Sequence, residues 1–233
     1  MRLFLFSLVL LLNGVLLGAA AGDSTSPTAA AMRFYAAIKS DDPSKIAESI
    51  FLRSPDELGE INIFARLLIA QRRLARAASL QFKDEKDSVV EGRITNDQLD
   101  ENGKLFASAP VVEDGDRAEI SVALVKGDDP EIMYLRRAGT MWKVDLGRMV
   151  ASHSLTPIAD TADAPLQLDI WLYLTMIDSI NRLADDVGSG KFKTFKEVKD
   201  AAQQIPRDAA KQEFQLLDKV LGSSNAGAPK VQK

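Results

Sequence analysis

The sequence predicts an α+β protein in which three N-terminal helices pack on a curled antiparallel β-sheet, followed by a C-terminal helical extension. Three observations lead there. Apolar residues keep a helical period as far as about Gln81, alternation broken by turn dipeptides takes over from Ser88 to about residue 147, and the helical period returns after residue 166.

Ahead of the first helix, Arg2 precedes an apolar run from Leu3 to Leu17 and a small-residue stretch ending Ala19-Ala20-Ala21-Gly22. This is the layout of a secretory signal cleaved after Ala21, which makes the expected location the periplasm or the extracellular space. An uncleaved anchor is the competing reading, since a transmembrane helix needs roughly 20 apolar residues; Asn13, Gly14 and the small-residue end favour the peptidase. Taking 21 residues from 233 leaves 212, and because Arg2 is the only charge removed the formal net charge moves from -4 to -5. That acidic balance gives no support for nucleic-acid binding. Without a cysteine there is no disulfide and no lipoprotein anchor, so a hydrophobic core must hold the chain together.

Residues 22–27 read as a flexible leader and 28–150 as the α+β domain. Ala31, Phe34, Tyr35 and Ile38 fall on one helix face, and Asp41-Asp42-Pro43 stops that helix and starts a second, with Asp42 as cap and Pro43 in the first turn. The second helix runs to about Leu52. Ser54-Pro55-Asp56-Glu57 has the spacing of a capping box and opens a third helix to about Gln81. Phe64, Leu67, Leu68 and Ala75 line one side of it; Arg66, Arg73 and Arg76 gather on the other, as a solvated face does.

Strands are predicted at about 88–95, 104–112, 117–126, 131–137 and 140–147. Turns fall at Asn102-Gly103, Asp114-Gly115, Gly127 to Pro130 and Ala138-Gly139-Thr140. Connections this short make neighbouring strands antiparallel. Trp142, Val144 and Leu146 share one face of the last strand.

A linker, 151–165, leads to the helical extension, 166–221. Ile170, Leu174, Ile177, Ile180, Ala184 and Val187 hold the helical period, with Asp178 and Arg182 spaced for an ion pair; Gln167, Asp169 and Asp178 rule out a membrane span. Gly188-Ser189-Gly190 ends this helix. A second is expected from Lys191 to Gln204, and a third after Pro206 to about Leu221. Lys191 to Lys199 interleaves four lysines with Phe192 and Phe195; the phenylalanines are expected to pack with Val198 while the lysines stay in water. The tail, 222–233, has nothing to bury and is predicted to be disordered.

The aromatic opening "AAMRFYAAIKSDDPSKIAESI", the long third helix and the closing "MYLRRAGTMWKVDL" resemble exported bacterial members of the nuclear-transport-factor-2-like superfamily. The resemblance covers roughly residues 28 to 150. It departs between the second and third helices, where many members have a strand or hairpin and Phe51-Leu52-Arg53 is barely long enough for one. It implies a cone-like cavity between sheet and helices, used by some members for catalysis and by others for binding; the binding residues are not specified by the sequence, Phe34, Phe64 and Trp142 are candidates to line the cavity, and Trp142 is expected to pack against the helices. Dimerisation through the outer sheet surface is a further implication.

Chemistry is sparse. His153 is the single histidine, so a His/Cys metal site cannot be assembled, and no cofactor motif is present. The pairs Asp41-Asp42, Asp128-Asp129 and Asp185-Asp186 suit caps, turns and helix ends better than a catalytic dyad. Tyr35, Tyr134 and Asp145 are the polar residues most able to line a cone, although the favoured reading of Tyr35 and Tyr134 is as core aromatics with their hydroxyls at the edge. The expected function is an exported, non-catalytic binding or interaction module for a small apolar ligand or a protein partner; the alternative is a small-molecule isomerase or hydrolase using those three residues.

Overall fold

The structure is a computed structural model describing residues 25–82, 96–122, 130–152, 166 and 168–225, and the side chains among these except those of 97, 98 and 216–225. The expected secretory segment and residues 22–24 of the expected leader, the expected strand at 88–95, residues 123–126 of the expected strand 117–126, the expected turn at 127–129, His153 with the rest of the expected linker, and the tail from residue 226 lie outside. Among the described residues the chain is α+β, with seven α-helices and one four-stranded antiparallel sheet.

Helix α1 (Pro27–Lys39) starts at Ser26, whose side chain accepts from the Ala29 amide at 3.2 Å, with Pro27 in the first turn. Its inner face buries Ala30, Ala31, Phe34 and Ile38. Asp41 then turns the chain at a φ of 55°. Asp42 caps α2 (Pro43–Glu48) through the Ser44 and Lys45 amides, as expected. Beyond α2 the chain is extended just long enough for Ile50 to form one parallel bridge with Val144, on the outer edge of the sheet. Two hydrogen bonds fix it: Phe51 N–H to Val144 O at 2.8 Å and Val144 N–H to Ser49 O at 3.0 Å.

Helix α3 (Leu58–Gln81) is entered through a 3-10 turn, Pro55–Glu57, and the expected capping box is not made. Ser54 makes no side-chain cap. The buried Glu57 carboxylate instead accepts from the Arg53 amide at 2.7 Å and from the Leu166 amide at 3.2 Å. Glu60, one turn on, accepts from the Leu168 amide at 3.1 Å. The first turns of α3 therefore hold the entry to the C-terminal helices.

The strand expected at 104–112 is mostly helix: α4 spans Asn96–Ser108, and only Val111 onward is extended. Asn102-Gly103 lies inside α4 rather than in a turn. Leu99 and Phe106, two turns apart, are both buried, and Gly103 brings the helix close to α1, where even a Cβ would meet the Tyr35 Cβ at 3.6 Å.

Strands β1 (Val111–Asp114), β2 (Arg117–Val122), β3 (Glu131–Ala138) and β4 (Met141–Val144) form a meander in sequence order. Gly115 and Gly139, at φ 62° and 63°, supply the positive φ that their two-residue hairpins require. The register pairs Ala118 with Leu135, Ile120 with Met133 and Val122 with Glu131, so these six share the helix-facing side. The last strand stops at Val144, short of the expected 147. Asp145 caps a short helix, α5 (Leu146–Ser152), accepting from the Arg148 amide at 3.0 Å.

Helices α6 (Ile170–Gly188) and α7 (Phe195–Asn225) complete the chain, α6 being capped by Asp169. The break expected near Pro206 is absent and α7 is continuous, because Ile205 and Ala209 stay buried in the same apolar cluster as α6 on either side of the proline. Its start is a capping box: Thr194 Oγ1 accepts from the Glu197 amide at 3.3 Å, and Glu197 Oε2 accepts from the Thr194 amide at 3.3 Å and from the Lys193 amide at 2.8 Å. The expected Asp178–Arg182 ion pair is replaced by bonds from Arg182 to the Asp178 carbonyl oxygen and to Ser179 Oγ.

Two apolar clusters result. The first joins α1, α2, α4 and the sheet to Ile61, Phe64, Ala65 and Leu68 of α3; the second joins Ile63, Leu67, Ala70 and Ala78 of the same helix to α6 and α7. Phe192, Phe195 and Val198 pack in the second. No helix among the described residues is long and apolar enough to cross a membrane.

Candidate functional site

Burial on β2 and β3 alternates so that aliphatic side chains face the helices, and Glu131 occupies the last helix-facing position at one end of that apolar row. Burial pushes its carboxyl up to about 7. Its Oε2 is buried and has no hydrogen-bond partner.

Tyr35 of α1 stands across from it. The phenol is pushed well above its ordinary value, first by burial and then by the charge of Glu131. Its ring packs on Phe34 and on Phe106 of α4, each at 5.7 Å between centroids. The result is one carboxyl close to neutrality and one phenol that stays protonated, set in an aromatic and aliphatic wall. Such a site can accept a hydrogen bond or a cation at Glu131 and donate one from Tyr35.

The other two polar residues singled out in the sequence lie elsewhere. Tyr134, one position along β3 from Met133, faces the opposite side of the sheet beneath the Arg148 guanidinium, 4.3 Å from the ring centroid. Asp145 is buried as the cap of α5, and its Oδ1 also accepts from Arg53 Nη2 at 2.5 Å. The fold thus separates Tyr35 from Tyr134 and Asp145.

Phe34, Phe64 and Trp142 are all buried in the first cluster. Trp142 is fully enclosed, its carbonyl oxygen accepting from Arg33 at 2.5 Å and its ring covered by the Arg137 guanidinium at 4.6 Å. Among the described residues no group of three or more His, Cys, Asp or Glu is placed to hold a metal ion.

The acidic pairs within the description are occupied structurally. Asp185 bonds Arg73 of α3, and Asp186 bonds Lys191 at 2.7 Å. Asp41 binds Arg72 and Arg76; burial alone would raise its carboxyl, but hydrogen bonds from the two guanidinium groups hold it below the ordinary carboxylate range. Arg72 is the residue that the solvated-arginine reading missed. It is 1% exposed and also reaches the Lys39 carbonyl oxygen and Asn96 Oδ1, tying α3 to the ends of α1 and α4.

Glu131 was missed as well. Its signal was the register: once Met133 and Leu135 are assigned to the core side, the residue two before Met133 falls on that side too.

Comparison with family models, with curated proteins and with solved structures found no match for this chain.

Proposed function

We propose that the chain is an exported, non-catalytic binding module of the nuclear-transport-factor-2-like kind, holding a small, mainly apolar ligand between sheet and helices at the Tyr35–Glu131 end. One observation carries this reading: a buried Glu131 oxygen without a partner, at the end of an apolar row. A buried unpaired acceptor costs about 1–3 kcal/mol, a cost that a ligand hydroxyl or amine would offset. The apolar neighbours supply the remaining affinity.

Native mass spectrometry of residues 22–233, recovered from the envelope of the host without denaturation, tests it. The expected result is a discrete bound mass that is lost in Glu131→Leu. A bare mass for the unaltered chain, together with no thermal shift from a panel of apolar alcohols and amines, rejects the reading.

A second reading, a small-molecule isomerase, is favoured by one specific observation. A carboxyl near 7 beside a phenol that stays protonated is a matched base and hydrogen-bond donor for moving a proton next to a carbonyl. Deuterium uptake from heavy water into a panel of enolisable ketones, present for the unaltered chain and absent for Glu131→Gln, would support it over simple binding.

A further inference from the structure

On the side of the sheet away from the helices, three guanidinium groups are gathered around two rings. Arg53 and Arg136 lie against Phe51, at 5.9 and 5.3 Å from its centroid, and Arg148 lies over Tyr134. Asp145 Oδ1 accepts from Arg53 Nη2 and also from the backbone amide of Arg148, so the Arg53 guanidinium lies at the start of the helix that carries Arg148. Glu119 Oε1 accepts from Arg148 Nη2 at 2.5 Å. These carboxylates engage one edge of the Arg53 and Arg148 guanidinium groups, while Asp116 Oδ2 accepts from Arg136 Nε at 3.1 Å. Arg53 Nε, Arg53 Nη1 and Arg148 Nε are buried donors with no acceptor.

A charged donor left without an acceptor is costlier than a neutral one, and three such nitrogens on two adjoining residues are not explained by packing. We propose that this outer patch, built on Arg53 and Arg148 with Arg136 at its rim, is a binding site for a small-molecule oxyanion, a carboxylate or a phosphate. The two side chains are 14% and 19% exposed, so the anion meets their surface edge and a small turn of each guanidinium presents the buried N–H. Asp145 and Glu119 balance the single charges of Arg53 and Arg148, so the anion is held by directed N–H donors rather than by net charge.

The test follows the Nε–H resonances of Arg53 and Arg148 by nitrogen-15 NMR while inorganic phosphate or acetate is added to the whole mature chain at constant ionic strength, with chloride as the balancing ion. Both resonances are expected to move saturably, and the anion that saturates at lower concentration identifies the class. Arg148→Gln, with its fold checked by its backbone amide spectrum, is expected to raise the half-saturating concentration at least tenfold at Arg53. No movement with either anion, or the same movement with chloride alone, overturns the proposal. So does unchanged saturation in a folded Arg148→Gln.

Discussion

Replacing Glu131 by glutamine changes the charge at the proposed site while keeping its shape, so its effect on stability can be worked out with sign and size. The carboxyl has an ordinary value of 4.5 and is pushed up to about 7 by burial in the fold. Between those values the folded protein retains a proton that the unfolded chain has released. Stability from this group is therefore complete below about 4.5, falls as pH rises through about 7, and is then level. At about 1.4 kcal/mol per pH unit the loss is bounded near 3 kcal/mol, and solvent reaching the partly exposed side chain reduces it to about 1–2 kcal/mol. Glutamine cannot ionise and escapes this loss. In urea unfolding at about 2 kcal/mol per molar denaturant, Glu131→Gln should raise the midpoint by about 0.5–1 M at pH 8 relative to its effect at pH 4.5. Subtracting the shift of the unaltered chain between the two pH values from that of the variant cancels the titrating groups common to both. An equal shift at both values, or a variant weaker at pH 8 than at pH 4.5, would refute the reasoning.

Three further substitutions address the framework. Asp41→Asn keeps a residue that tolerates the positive φ and removes only the charge held by Arg72 and Arg76; it should cost about 1–3 kcal/mol at neutral pH. Because the native Asp41 carboxyl sits below its usual value of 3.8, that penalty should shrink as pH falls below about 4, which acid-dependent urea unfolding would reveal. Thr194→Ala removes the acceptor at the start of α7 and should cost about 1 kcal/mol, measured by thermal unfolding. Pro206→Ala restores a helical N–H inside α7 and should raise stability by up to about 3 kcal/mol with a gain in helical circular dichroism; a loss would mean that the proline is held by packing.

Local patterns were legible wherever a short-range rule acts on its own. Asp42 before Pro43, the two glycine hairpins and the alternation at the start of 117–126 and along 131–137 each specify their geometry within a few residues, and the strands Arg117–Val122 and Glu131–Ala138 form there. Residues 104–108 were misread because Asn102-Gly103 has the chemistry of a turn, whereas the helix runs through it with Leu99 and Phe106 buried, Phe106 against Tyr35 of α1 about 70 positions earlier in the chain. Ser54 and Glu57 had the spacing of a capping box, yet the amide of Leu166 competes for the same carboxylate from more than 100 residues away. Arg72 could be separated from Arg73 and Arg76 only by knowing that α4 and the loop at Asp41 converge on it.

The same distinction explains why the proposed site was half visible. Tyr35 could be read from an aromatic helix face, whereas Glu131 follows a proline at the head of a strand and reads as an exposed start until its register against Val122 is known. Apolar residues on α3 were likewise merged into one stripe, although Phe64 and Leu68 belong to the first cluster while Ile63 and Leu67 pack with α6 and α7 in the second. A helix that is apolar over so wide an arc cannot lie on the surface, so α6 and α7 cover a face of α3 that would otherwise meet water. Glu57 and Glu60 bind the chain at Leu166 and Leu168 from the first turns of that same helix. The C-terminal helices thus belong to the support of the sheet-facing core: through α3 they fix the helix against which α2 packs, and the Tyr35–Glu131 site is positioned by a framework that extends well past the last strand.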